Sequence, residues 1–69
     1  MKYLLQDLLA ILDKESGFFI RYNGSGCEYY FEDSDDYYDN WAQVGETNKA
    51  LVMFITVKDN HLLIILDKD

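Results

Sequence analysis

Proline is absent from this 69-residue chain, cysteine and histidine occur once each, and lysine and arginine together number six against 13 acids. Each shortage removes a class of function. With Cys27 unpaired, no internal disulfide can staple the fold, and a single thiol suits a reducing cytoplasm better than a secreted, disulfide-rich scaffold. With so few bases, electrostatically driven binding to DNA, RNA or anionic lipid is excluded, because phosphate neutralisation needs lysine and arginine. The longest unbroken apolar run, Ala50 to Ile55, falls far short of the roughly 20 residues that span a bilayer. What is present is apolar: 49% of residues are hydrophobic and 16% aromatic, too many for intrinsic disorder despite a net charge of −7. One folded, acidic miniature domain over residues 1–69 is expected.

The first dozen residues contain a lysine and a leucine-rich stretch, as a secretory signal does, but Gln6 and Asp7 interrupt it and no small-residue cleavage site follows. Residues 3–14 instead place Leu4, Leu5, Leu8, Leu9, Ile11 and Leu12 on one helical stripe, with Lys2, Gln6, Asp7 and Asp13 around the rest and Gly17 as a stop. Phe18 to Tyr22 reads as a strand. Asn23-Gly24-Ser25-Gly26 reads as a hairpin turn, since Asn-Gly supplies positive φ, and Cys27 to Asp33 as the return strand. Ser34 is a candidate cap for a short helix ending at Gly45, with Tyr37, Trp41 and Val44 at i, i+4, i+7. Leu51 to Lys58 and Leu62 to Leu66 form a second hairpin around Asp59-Asn60-His61. Their near-continuous apolarity implies burial on both faces, or of one face in a dimer. The expectation is an α+β, two-layer domain of order α-β-β-α-β-β, its antiparallel four-stranded sheet covered on one face by the N-terminal helix.

Segment counting changes the meaning of the charge. Residues 27–46 hold Glu28, Glu32, Asp33, Asp35, Asp36, Asp39 and Glu46 with no lysine or arginine, while the other 49 residues balance six acids against six bases. The same 20 residues carry six of the eleven aromatics. On a strand, Glu28 and Glu32 share a face on the order of 13 Å apart at about 3.3 Å per residue. On a helix, Asp35 and Asp39 are neighbours about 6 Å apart at Cβ. Carboxylates at such spacings, interleaved with flat rings, suit a cationic groove built for phosphates and bases. The candidate contact residues are therefore Glu28, Tyr30, Glu32, Asp33, Asp35, Asp36, Tyr37, Tyr38 and Asp39. Tyr29, Phe31 and Trp41 read better as core.

Competing chemistries fit less well. An EF-hand loop begun at Asp33 puts Tyr37 at position 5, Tyr38 where glycine is needed and Val44 where the bidentate glutamate belongs, so no metal or other cofactor is expected. His61 sits in a predicted turn, nothing joins it to Cys27 as a nucleophile pair, and no phosphate-binding glycine loop exists. An enzyme is not expected.

In size, acidity and the stretch Glu28 to Asp39, the chain resembles small acidic phage-encoded inhibitors of nucleic-acid enzymes, the DNA mimics and anti-CRISPR proteins among them. The resemblance covers less than a fifth of the chain and has no shared motif. It implies an inhibitor that occupies the nucleic-acid-binding surface of a basic protein, without touching nucleic acid or membrane itself. A different class of function is a homodimerising structural or regulatory module whose acidic stretch serves solubility. An immunity or antitoxin protein against a cationic nuclease stands between the two.

Overall fold

Both hairpins form, but only the second turns tightly: the strands of the first pair from Phe18 opposite Phe31 to Ile20 opposite Tyr29, and in the loop between them Gly24 has positive φ while Asn23 does not. The structure, a computed structural model, describes residues 3–67; Lys2, assigned to the polar side of the first helix, lies outside them. The elements run β1 (Tyr3–Leu4), α1 (Leu5–Ile11), β2 (Phe18–Tyr22), β3 (Tyr29–Phe31), α2 (Ser34–Asn40), α3 (Val44–Thr47), β4 (Leu51–Lys58) and β5 (His61–Leu66). The α+β class holds. Asp59 and Asn60, at φ 51° and 65°, make the tight two-residue turn, so His61 belongs to β5 and not to the turn.

The antiparallel four-stranded sheet is corrected to a five-stranded mixed one, ordered β1-β4-β5-β2-β3. The hairpins β2–β3 and β4–β5 join through a parallel pair, Phe18 opposite Leu62 through Tyr22 opposite Leu66. Burial explains the choice. Strand β5 is an unbroken apolar run from Leu62 to Leu66, and only a central position covers both its faces. Leu63 and Ile65, on the face away from the helices, are buried beside their cross-strand neighbours Phe19, Arg21, Phe54 and Thr56. Strand β4, whose apolar run is at least as long, does not share that double burial: Met53 to Val57 is exposed.

The helix expected over residues 3–14 is shorter at both ends. Tyr3 and Leu4 pair with Val52 and Leu51 as β1. Backbone carbonyls of Ala50 and Asn48 then accept the amides of Leu5 and Gln6, which supplies the helix start without a side-chain cap. At the other end Leu12 turns extended, and the Asp13 carboxylate accepts the Glu15 amide, a local turn that competes with helix. The helix expected to run from Ser34 to Gly45 is likewise broken at Trp41, and α3 is a separate turn beyond it. The return strand expected from Cys27 to Asp33 pairs only over Tyr29–Phe31.

Leu5 and Leu9 of α1 and Tyr37 of α2 pack against Phe18, Ile20, Phe31, Ile64 and Leu66 in one core. All the helices therefore lie on one face of the sheet, and the acidic segment wraps from edge strand β3 onto that face through α2.

Candidate functional site: an acidic helix face

The seven acids of residues 27–46 divide by what they do. Asp33 is the residue before α2 in extended conformation, and its Oδ1 accepts the Asp36 amide at 2.7 Å. Asp36 returns the contact: its Oδ2 accepts the Glu32 amide at 3.0 Å and its Oδ1 accepts Asn40 Nδ2 at 2.8 Å. This is a reciprocal cap, with Asp33 in the role expected of Ser34, and it satisfies amides that a helix start leaves open. Ser34 is instead buried just inside the helix. Glu28 is drawn away to the helix-free face of the sheet, where it pairs with Lys58 and lies 3.6 Å from Arg21. Lys58 crosses above the Phe19 ring to make that contact, 5.4 Å from its centroid.

The aromatics divide in the same way. Tyr37 is 0% exposed, edge-on to Phe31 at 5.2 Å, and its hydroxyl donates to Asn48 Oδ1 at 2.7 Å. Burial first, then its neighbours Tyr38 and Tyr22, push that hydroxyl well above the usual tyrosine range. Trp41 lies tilted against Tyr29 at 4.6 Å and donates its indole N–H to Thr47 Oγ1 at 2.8 Å, and the hydroxyl of the fully buried Thr47 also bonds the Tyr22 hydroxyl at 3.0 Å. These rings fasten the acidic helix to the sheet. Tyr30 stands on the opposite face, 5.0 Å from Phe19 and 5.4 Å from His61, its ring end so close over Gly17 that a Cβ there would lie 2.6 Å from the Tyr30 hydroxyl.

Of the nine candidate contact residues, the structure brings four together at the surface: Glu32, Asp35, Tyr38 and Asp39, all exposed. Asp35, Tyr38 and Asp39 stand at i, i+3, i+4 on the outward face of α2, and the Tyr38 ring rests edge-on against Tyr37 at 5.1 Å. No ion pair or hydrogen bond engages these side chains among the described residues. Glu28 and Tyr30 lie on the other side of the sheet, Asp33 and Asp36 are occupied as caps, and Tyr37 has no surface to offer. Glu46 on α3 is exposed and acidic yet absent from the nine candidates; the charge count of residues 27–46 is the one sequence signal that includes it.

Elsewhere, a groove of about 380 Å³ lies between the loop after α1 and the β4–β5 turn, lined by residues including Leu12, Gly17, Val57 and His61, with Glu15 as its one acid. It is separate from the acidic helix. Among the described residues no group of three or more His, Cys, Asp or Glu side chains is placed to hold a metal ion, and no helix is long and apolar enough to cross a membrane. Compared with known proteins, the chain matches no family model, no curated protein and no solved structure.

Proposed function

We propose that this protein is a binding module that works in the cytoplasm and presents the outward face of α2 to a cationic surface of a partner protein. The surface that suits it best is a groove that ordinarily holds nucleic acid. One observation carries the reading: Asp35, Tyr38 and Asp39 share an exposed helix face, with Glu32 at its start and no lysine or arginine anywhere in residues 27–46. Carboxylates one helical turn apart stand about 6 Å from each other at Cβ, close to the spacing of successive phosphates. A rigid helix holds them there without the entropy loss of ordering a loop. The mode of action is competitive occupancy of the groove, as in the small acidic phage inhibitors and anti-CRISPR proteins that the chain resembles, and it involves no catalytic step.

The test compares the native chain with the triple variant Glu32→Gln, Asp35→Asn, Asp39→Asn as bait in host lysate. Proteins held by the native chain should be released by duplex DNA and by raised salt, since exposed charge pairs are screened. The variant should hold none of them. Partners that survive both DNA and salt, or that bind the variant equally, overturn the proposal.

A further inference from the structure

On one side of the sheet the outermost strand is the two-residue β1, and among the described residues it pairs with Leu51 and Val52 of β4 and with no later residue of that edge. Beyond them the strand carries no charge until Lys58, and Met53, Phe54, Ile55 and Val57 are 47%, 50%, 42% and 68% exposed. Lys58 and His61 face each other across the two-residue turn, so alternation along the ladder points the backbone groups of Thr56 and Phe54 at β5 and those of Ile55 and Val57 outward. The irregularity between Val52 and Phe54 that could blunt the edge lies beside β1 and leaves Phe54 to Lys58 in regular register. An apolar edge without proline, inward charge or, among the described residues, cover is a template for another strand.

We infer that this edge pairs antiparallel with the same edge of a second copy of the chain, about a two-fold axis at Thr56, joining two five-stranded sheets into one of ten strands. Self-pairing follows from the sequence of the edge and from where the charge sits. Under that two-fold, Ile55 of each copy faces Val57 of the other, so two pairs of β-branched side chains meet on the helix face and the outward amides and carbonyls bond reciprocally. On the opposite face the aliphatic stem of Lys58 falls beside the exposed Phe54 ring of its mate, an apolar contact that leaves the ammonium on Glu28. Two molecules of charge −7 repel at most surfaces, but β3 and the acidic helix lie at the far edge of the sheet. In the paired sheet the two β3 strands are seven strand spacings apart, about 34 Å, roughly four Debye lengths at physiological salt. The repulsion is therefore screened where the contact forms. The apolar patch is on the order of a few hundred Å² per copy, at the low end for stable interfaces, so the dimer should be concentration-dependent.

Sedimentation equilibrium of the full chain should show the mass rising with concentration from 8.1 kDa toward twice that value. Val57→Lys should hold the chain at the monomer mass with unchanged far-ultraviolet circular dichroism. In a Cys27→Ser background, Thr56→Cys should give a disulfide-linked dimer under mild oxidation, because facing Cα atoms in a non-hydrogen-bonded pair lie about 4.5 Å apart, within disulfide reach. Glu46→Cys in the same background should not cross-link. A monomer at every soluble concentration overturns the inference. So does a dimer that survives Val57→Lys, or failure of the Thr56→Cys variant to cross-link; should Val57→Lys unfold, the cross-link alone decides.

Discussion

Strands β3 and β4 both border solvent, yet β3 is three residues long, preceded by Glu28 and followed by Glu32, whereas β4 is eight residues long with no charge before Lys58. Short length and flanking charge are the usual means of keeping an edge from pairing. One edge has both and the other has neither. The acids of residues 27–46 are thus not a uniform coat. Glu28 pairs across the open face, Asp33 and Asp36 close a helix, and Glu32, Asp35, Asp39 and Glu46 face solvent. On the acidic side a charged surface is fastened down by buried rings; on the apolar side, among the described residues, nothing fastens over β4 beyond Val52.

The largest test of that contrast removes the fastening. Tyr37→Ala empties a fully buried site among Phe18 and Phe31, and truncation of a buried aromatic costs about 3–5 kcal/mol, comparable to the whole stability of a domain this small. Urea titration should find it largely unfolded; a loss below about 1 kcal/mol would mean that α2 is not held by this ring. Tyr37→Phe keeps the ring and loses the hydroxyl's bonds to Asn48 Oδ1 and, at 3.4 Å, to the Val44 carbonyl, about 1 kcal/mol at neutral pH. The same hydroxyl sets an alkaline limit. Its pKa is raised in the folded chain, so the native state keeps a proton that the unfolded state releases above pH of about 10, and stability present below that pH falls as pH rises through it. The alkaline fall should be shallower in Tyr37→Phe than in the native chain, and equal slopes would assign it to other groups.

A second, smaller test separates acids that build the helix from acids that face outward. Asp33→Ala deletes the cap and should cost about 1 kcal/mol. Asp35→Asn with Asp39→Asn removes no contact within the fold and should stay within about 0.5 kcal/mol, while weakening capture of a cationic partner. Chemical denaturation beside partner capture reads both quantities. Equal destabilisation by the two changes would erase the division.

Much of this fold is legible in the sequence where a local signal decides. Strands β2 and β4 have the expected bounds, and α2 begins beside its expected start, although Asp33 and not Ser34 caps it. Pairing between hairpins is not local: the parallel join of β2 to β5 depends on which strands most need burial, a competition that no single stretch displays. For the same reason the apolar runs of β4 and β5 look alike in sequence and end differently, because a sheet has few central positions. The acidic stretch is legible as a segment. Its division into pairs, caps and free carboxylates is not, since Glu28 finds Lys58 thirty residues away, and of the adjacent Tyr37 and Tyr38, whose rings touch, one is buried and the other exposed.

The smallest test applies one substitution to the two hairpins. Asn60 sits at φ 65°, where glycine meets no steric penalty, and Asn60→Gly should be neutral or raise stability by a few tenths of a kcal/mol, since relief in the turn narrowly exceeds the added freedom of the unfolded chain. Asn23 has no such positive φ, and its amide is committed to the Leu66 carbonyl at 2.7 Å, part of the join between hairpins. Asn23→Gly brings only the entropic cost, about 0.5–1 kcal/mol. For a domain of this size about 1 kcal/mol moves the melting temperature by roughly 4–8 °C, so thermal scans should place the two variants on opposite sides of the native chain or leave only Asn23→Gly displaced. Were both to fall equally, the β4–β5 turn would not be the preorganised end of the apolar edge, and Lys58 would have no fixed partner in His61 from which to set the outward phase of Ile55 and Val57.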